Sequence, residues 1–345
     1  MIFSKNKLND CEIFVFLKQF YLLFNFKISI SESLRIISNQ THSKLLKKIL
    51  EKVIKDIDFG NSFSQSLKKH NQIQDFLSSM IYVGEKSGNL KQIISKLISY
   101  YDSENKFKNN FKRSMIYPSI VCMMMIVVVV ISVNFVIPSY MQLFNDISNL
   151  PLITQIVFNG VNLVQKFSLL ILMIFILLLF AIKHFLNTFL GKYYLDCFLS
   201  KFNFFKLKSN FKFAQIMHIT LGSHIDIISC INMSKRIINN NYLNKNFIDI
   251  IIKIKSGKSL SDSIIEDNFF SKNKFLISMI KIGETTGSLS QAMLDCENYF
   301  SYEIENTFQR FEKLLEPIIT IILGLILAII MLSIMLPTFN INELI

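Results

Sequence analysis

Two stretches of nineteen residues, 119–137 and 318–336, contain no charged side chain, and a proline stands at each end of both. A helix needs about 20 apolar residues to cross the hydrocarbon core of a bilayer. Inside lipid the backbone must satisfy its own hydrogen bonds, which restricts such runs to helices. Both stretches are therefore predicted to be transmembrane helices. The prolines are expected at their boundaries: Pro118 and Pro317 at the starts, Pro138 and Pro337 at the ends.

A third span is predicted over residues 161–182, where no side chain from Phe167 to Ile182 is charged. The whole chain has a mean hydropathy of +0.40 and is 51% hydrophobic. This is too apolar for an ordinary soluble protein of 345 residues. We therefore expect a multi-pass protein of the cell membrane, and three spans place its termini on opposite sides of the lipid bilayer.

The distribution of Lys and Arg predicts which side each loop occupies, because basic residues near span ends stay in the cytoplasm. Four basic residues lie between positions 106 and 113, just before the first span. Residues 139–165 contain a single charge, Asp146, whereas six lysines follow the second span between positions 183 and 212. The amino terminus and the second domain are therefore expected in the cytoplasm, and the 139–160 loop and the carboxyl terminus outside.

The sequence contains an internal duplication. Residues 76–90 and 275–289 share nine identities in fifteen positions, and the proline pairs keep the same offset of 199 residues. Each copy comprises a cytoplasmic domain and the span that follows it, and the intervening span lets both copies enter the membrane in the same direction. The predicted order is a first domain (1–113), a span (114–138), an outer loop (139–160), a span (161–182), a second domain (183–316), a span (317–337) and an outer tail (338–345).

Apolar residues in both domains recur every three or four positions, which predicts an all-α protein with two homologous antiparallel helical bundles. Leu90 and the apolar positions after it, through Tyr101, are expected to form one buried stripe. Ser62 with Gln65, and Ser259 with Asp262, resemble helix-capping pairs.

The repeated G-E-x-x-G-x-L motif predicts a second helix corner in each copy. Its second glycine suits a left-handed helix end, and the residue after that glycine suits an N-cap. The glutamates are open to two interpretations: contact with a basic partner, or a structural bond within the bundle. The motif residues are Gly84, Glu85 and Gly88 in the first copy and Gly283, Glu284 and Gly287 in the second.

No catalytic group, metal site or cofactor site is predicted. The five cysteines are scattered without a C-x-x-C pair, and Gly257-Lys258-Ser259 lacks the earlier glycine of a phosphate-binding loop because position 252 is isoleucine. The net charge of +12 is concentrated beside the apolar runs, so direct nucleic-acid binding is not expected. The alternative function is a transporter or channel subunit, although the uncharged spans argue against an ion pathway.

Together, the two motif corners and the proline-bounded spans resemble the GspF/PilC family of inner-membrane platform proteins from type II secretion and type IV pilus machines. Within it, the chain is most similar to the ComGB members of the competence pseudopilus, because its first repeat begins by about Phe16. The resemblance implies a homo-oligomeric assembly platform without enzymatic activity. Its implied partners are a hexameric assembly ATPase and the transmembrane helices of prepilins, in a machine that serves DNA uptake.

Overall fold

The computed structural model describes residues 8–143 and 151–341, and these residues contain helices and no β-strand. This confirms the all-α prediction. The chain divides into two compact units. The first comprises residues 1–110 and 196–305, which hold the helical bundles of both sequence repeats. The second comprises residues 111–195 and 306–345, which hold the apolar segments.

Among the described residues, each repeat contains six α-helices, and its sixth helix continues beyond the first unit. The first repeat contains α1 (Asp10–Asn25), α2 (Ile30–Gln40), α3 (Lys44–Asp58), α4 (Phe63–Lys68), α5 (Asp75–Lys86) and α6 (Leu90–Ser114). Four helices follow: α7 (Ile116–Ile131), α8 (Ile137–Leu143), α9 (Leu152–Lys166) and α10 (Ser168–Asn187). After α11 (Phe189–Lys201), the second repeat contains α12 (Asn203–Leu221), α13 (Ile227–Ile238), α14 (Leu243–Lys255), α15 (Leu260–Ile265), α16 (Lys274–Thr285) and α17 (Leu289–Ile341).

The backbone shows the duplication as clearly as the sequence does. Lys27 and His224 both follow a first helix with φ near +60°, and they are 197 residues apart. Gly88 and Gly287 both have φ of +69°, and they are 199 residues apart. Positions in the first four helices of each repeat therefore correspond at an offset of 197, and positions from the fifth helix onward at 199.

One ion pair is conserved between the repeats with its charges exchanged. In the first repeat, Lys69 Nζ lies 3.0 Å from Asp56 Oδ1. At the corresponding positions of the second repeat, Lys253 Nζ lies 3.1 Å from Glu266 Oε2. The attraction between the third helix and the end of the fourth is therefore kept while the sign at each position is reversed.

The core of the first repeat contains the predicted stripe on α6. Leu90, Ile93, Ile94, Leu97 and Tyr101 are all buried, which confirms the prediction. Aromatic contacts between the fifth and sixth helices also repeat. Phe76 packs on Tyr100 with ring centroids 4.9 Å apart, and the corresponding Phe275 and Tyr299 are 4.2 Å apart.

Two helical stretches, Leu90–Leu143 and Leu289–Pro337, are long and apolar enough to cross a membrane. In each stretch, only 11% of the most apolar 18-residue segment is buried in the protein, whereas the core helix of a soluble domain is mostly buried. The third predicted span is divided in the structure. Residues 161–166 belong to α9, and α10 begins at Ser168 and includes a shorter apolar stretch, Ile176–Leu186.

The prediction that all four prolines mark helix boundaries is wrong for Pro317 and Pro337, which lie inside the continuous helix α17. Pro138 does not end a helix either: it is the second residue of α8, which directly follows a π-helical turn, Ser132–Val136. Pro118 lies in the first turn of α7. A proline inside a helix costs about 3 kcal/mol because it leaves a carbonyl without its N–H partner. Membrane helices tolerate it where another group bonds to that carbonyl.

Side chains of α9 supply such bonds at two of these prolines. Thr154 Oγ1 donates to the carbonyl of Ser333, four residues before Pro337, at 3.0 Å. Gln165 Nε2 donates at 2.9 Å to the carbonyl of Val133, five residues before Pro138 and in the π-turn. Phe158 and Val161 of the same helix pack on Ile137 and the residues around it. The helix α9 therefore holds the proline-containing parts of both apolar segments within the second unit.

Candidate functional site

The motif glutamates cap the short fourth helix of each repeat. Glu85 Oε1 accepts a hydrogen bond from the backbone N–H of Phe63 at 2.8 Å, and Oε2 accepts from Ser64 N–H at 3.1 Å. Glu284 makes the same two bonds to the first two N–H groups of α15, at 2.6 and 3.1 Å. These N–H groups have no partner within a helix, and the helix dipole favours a negative charge beside them.

The serine caps complete the same helix starts. The Ser62 side chain accepts from Gln65 N–H at 3.2 Å, and the Gln65 side chain returns to the Ser62 backbone. The Ser259 side chain accepts from Asp262 N–H at 3.0 Å. Both predicted serine caps are confirmed, and the Ser62–Gln65 pair forms a reciprocal capping box. The first three N–H groups of each six-residue helix are thus bonded by the serine just before the helix and by a glutamate that lies more than 20 residues later in the sequence.

The glycines of the motif have two different structural roles. A Cβ on Gly283 would lie 2.8 Å from Leu289 Cα, and one on Gly84 would lie 3.1 Å from the start of α6. These glycines therefore permit close approach of the fifth and sixth helices. Gly88 and Gly287 have φ of +69°, where a residue with a side chain is strained.

The motif thus builds a corner that joins three helices. The Glu85 and Glu284 carboxylates are bonded to backbone N–H groups, which corresponds to the structural interpretation given above. Their role as partner contacts, and that of the four glycines, stays a prediction.

The two repeats pack against each other within the first unit. Ile216 and Ile219 of α12 join the buried core of the first repeat. Lys96 of α6 donates to the Ile219 carbonyl at 3.3 Å and to Ser223 Oγ at 3.2 Å. Burial lowers the pKa of Lys96 below its usual range.

A further ion pair links the repeats: Lys212 Nζ lies 3.1 Å from Glu104 Oε1, and both side chains are largely buried. A buried charge without its partner is strongly destabilising. The pair therefore favours the packing of the two repeats in which Lys212 and Glu104 meet. The sequence did not reveal this pair, because the two residues are more than 100 positions apart.

A polar cleft of about 1070 Å³ lies along this seam. Its lining includes Asp10, Gln74 and Glu104 of the first repeat and Lys212, Lys235 and Arg236 of the second. Gln74 donates to Asp10 at 2.7 Å and accepts from the hydroxyl of Tyr101 at 3.3 Å. Burial raises the pKa of the Tyr101 phenol, which keeps it a neutral donor.

The described residues include no group of three or more His, Cys, Asp or Glu side chains able to hold a metal ion. Burial raises the pKa of Cys230 to about 11 and that of Cys296 to about 12. Both thiols are therefore protonated at neutral pH, which is the inert form. The contacts found among the described residues are helix caps, corners and a seam, all of which hold helices together.

The family model for type II secretion system (T2SS) protein F matches the chain twice, over residues 16–138 and 213–337. The chain belongs to this family. Each match contains one repeat and the apolar segment that follows it, so the duplication found in the sequence is a duplication of the family domain.

Curated proteins resemble the chain over nearly its whole length. The type IV pilus assembly protein PilC of Thermus thermophilus is 24% identical, with 96% of this chain and 82% of the relative covered. PilC of Pseudomonas aeruginosa is also 24% identical, with 98% and 92% covered. The type II secretion system protein F of Vibrio cholerae is 21% identical, with 99% and 85% covered. These relatives are components of pilus and secretion machines, and the family is one of platform proteins rather than known enzymes.

Proposed function

We propose that this protein is the membrane platform of a type II secretion or type IV pilus-like machine, where it couples a cytoplasmic assembly ATPase to pseudopilin assembly. One observation supports this above the others: two copies of the T2SS protein F domain, each followed by an apolar helical segment, make up most of the chain. The names of its relatives place them in pilus assembly and protein secretion.

The proposal includes a topology. We propose three spans, with both repeats in the cytoplasm and the carboxyl terminus outside. Its support is the charge asymmetry, since basic residues precede the first span and follow the second while 139–165 carries one acid. The second span would be α10, which contains residues 168–182 of the uncharged run.

The proposed partners follow from this arrangement. A hexameric ATPase would contact the cytoplasmic repeats, and pseudopilin helices would meet the uncharged, lipid-facing surfaces by van der Waals packing. In the second repeat α17 continues without a break from the bundle into its apolar segment, which suits transmission of a displacement along one helix. We further propose that the machine serves DNA uptake.

The test is an in-frame deletion in the source bacterium, complemented with the wild-type gene. We expect the deletion to abolish surface fibres while processed pseudopilin remains in the membrane fraction, and we expect the tagged platform to co-purify with the ATPase. Unchanged fibres in the deletion strain would overturn the proposal. Transformation frequency and the amount of secreted protein, measured in the same strains, decide whether the machine serves DNA uptake or secretion.

A further inference from the structure

The seam between the repeats joins different faces of two homologous domains. The first repeat contributes α5 and α6, which carry Val83, Lys96 and Tyr100, and we call this face the socket. The second repeat contributes α12 and α13, which carry Ile219 and Ser223 near their junction, and we call this face the plug. A contact between unlike faces of related domains is heterologous, so each repeat also has the face that its partner uses.

The first repeat has a plug face that no part of the described chain covers. At the offset of 197, Leu22 corresponds to Ile219 and Phe26 corresponds to Ser223. Ile219 is 3% exposed in the seam, whereas Leu22 is 54% exposed and Phe26 is 78% exposed. Val15, at the position of Lys212, is exposed as well. The free plug thus presents large apolar side chains around Gln19, which stands at the position of Ile216, and Lys18 and Lys27 add positive charge beside it.

The second repeat has a socket face that is equally open. At the offset of 199, Tyr299 corresponds to Tyr100 and Ile282 corresponds to Val83. Tyr100 is 3% exposed, whereas Tyr299 is 41% exposed. Ile282 is 53% exposed, although Val83 is half-buried against the core.

Charge differs between the two sockets in a way that suits the free plug. Lys96, which bonds to the covered plug, is replaced in the second socket by the exposed Asp295. Lys27 is the basic residue beside the free plug. The open faces therefore combine matching apolar side chains with opposite charges at their edges, which favours association of one with the other.

We propose that the free plug of one copy, on α1 and α2, packs into the free socket of a second copy, on α16 and α17. The contact between chains would then repeat the contact within each chain. Being heterologous, it produces a closed ring or an extended row of copies according to the rotation between neighbours. The proposal concerns the chain alone and does not depend on an ATPase or a pseudopilin.

The test measures self-association of the full-length protein in detergent micelles by mass photometry and by analytical ultracentrifugation. Phe26→Glu places a negative charge in the plug opposite Asp295, and Ile282→Lys places a positive charge in the apolar part of the socket. We expect each variant to weaken self-association at least tenfold. Phe59→Glu is the matched control: Phe59 is another highly exposed aromatic residue, at the end of α3 and outside both faces, and this variant should associate like the wild type.

Mixing gives the decisive result. Phe26→Glu retains a normal socket and Ile282→Lys retains a normal plug, so an equimolar mixture should form 1:1 complexes that neither variant forms alone. Because all three positions are exposed, thermal unfolding should remain as in the wild type, which distinguishes lost association from lost folding. A monomeric wild type, variants that associate like the wild type, or a mixture that stays monomeric would overturn the proposal. Binding of the wild-type monomer to lipid vesicles through Phe26 would also overturn it.

Discussion

Removal of the Glu284 carboxylate tests the capping role of the repeated motif. In Glu284→Ala, the N–H groups of Leu260 and Ser261 lose acceptors at 2.6 and 3.1 Å. A hydrogen bond to a charged group contributes about 1.5–3 kcal/mol, and the lower end applies because these groups are only partly buried. Ser259 still caps the third N–H. We therefore expect the loss of local stability in α15 to be limited to about 2–3 kcal/mol.

Hydrogen–deuterium exchange of the full-length protein, read on peptides that cover α15, measures this loss. Since about 1.4 kcal/mol corresponds to a tenfold change in an equilibrium, exchange should become about 30 to 140 times faster. Glu284→Gln keeps one acceptor oxygen and should give an intermediate rate. Glu305→Ala, which removes an exposed carboxylate from α17, is the control and should leave α15 unchanged. Unchanged exchange in Glu284→Ala would refute the capping role and favour contact with a partner.

Three further predictions concern separate parts of the molecule. Gly287→Val should lower the unfolding temperature by several degrees because φ of +69° strains a β-branched residue, and an unaltered melting curve would contradict the corner geometry. Thr154→Val should destabilise the protein by about 1–3 kcal/mol, measured by denaturant titration against Thr320→Val, because the Ser333 carbonyl loses its donor. Burial raises the pKa of Glu297, so stability is greatest below its unfolded pKa and falls as pH rises through its folded pKa. Glu297→Gln should remove this decline from unfolding temperatures measured between pH 4 and 8.

Features encoded by neighbouring residues were predictable from the sequence. The left-handed positions of Gly88 and Gly287 follow from a glycine placed between two helical patterns, and the caps at Ser62 and Ser259 follow from an acceptor three residues before a bondable N–H. The duplication then extended each local inference to a second place in the chain. These features depend on a few consecutive residues, which is why one sequence was sufficient.

Features that depend on distant residues were not predictable in this way. The Glu85 carboxylate reaches a helix that begins 22 residues earlier, and a pattern of spacing does not show which helix start it will meet. The seam pair of Glu104 and Lys212 depends on which faces of the two repeats pack together. The sequence predicts a helix end at Pro337 because a proline leaves one helix carbonyl without its N–H partner. The hydrogen bond from Thr154 to that carbonyl comes from a distant part of the chain, and the helix continues.

The central claim is that the chain contains two copies of one helical module and that both copies face the cytoplasm. It is tested by labelling single cysteines at Gln40, Lys245 and Asn159, introduced one at a time into a variant whose five native cysteines are replaced by alanine. A membrane-impermeant maleimide applied to intact cells should label only the cysteine at 159, and those at 40 and 245 should react only after the membrane is permeabilised. Labelling of 40 and 245 from opposite sides would contradict the account.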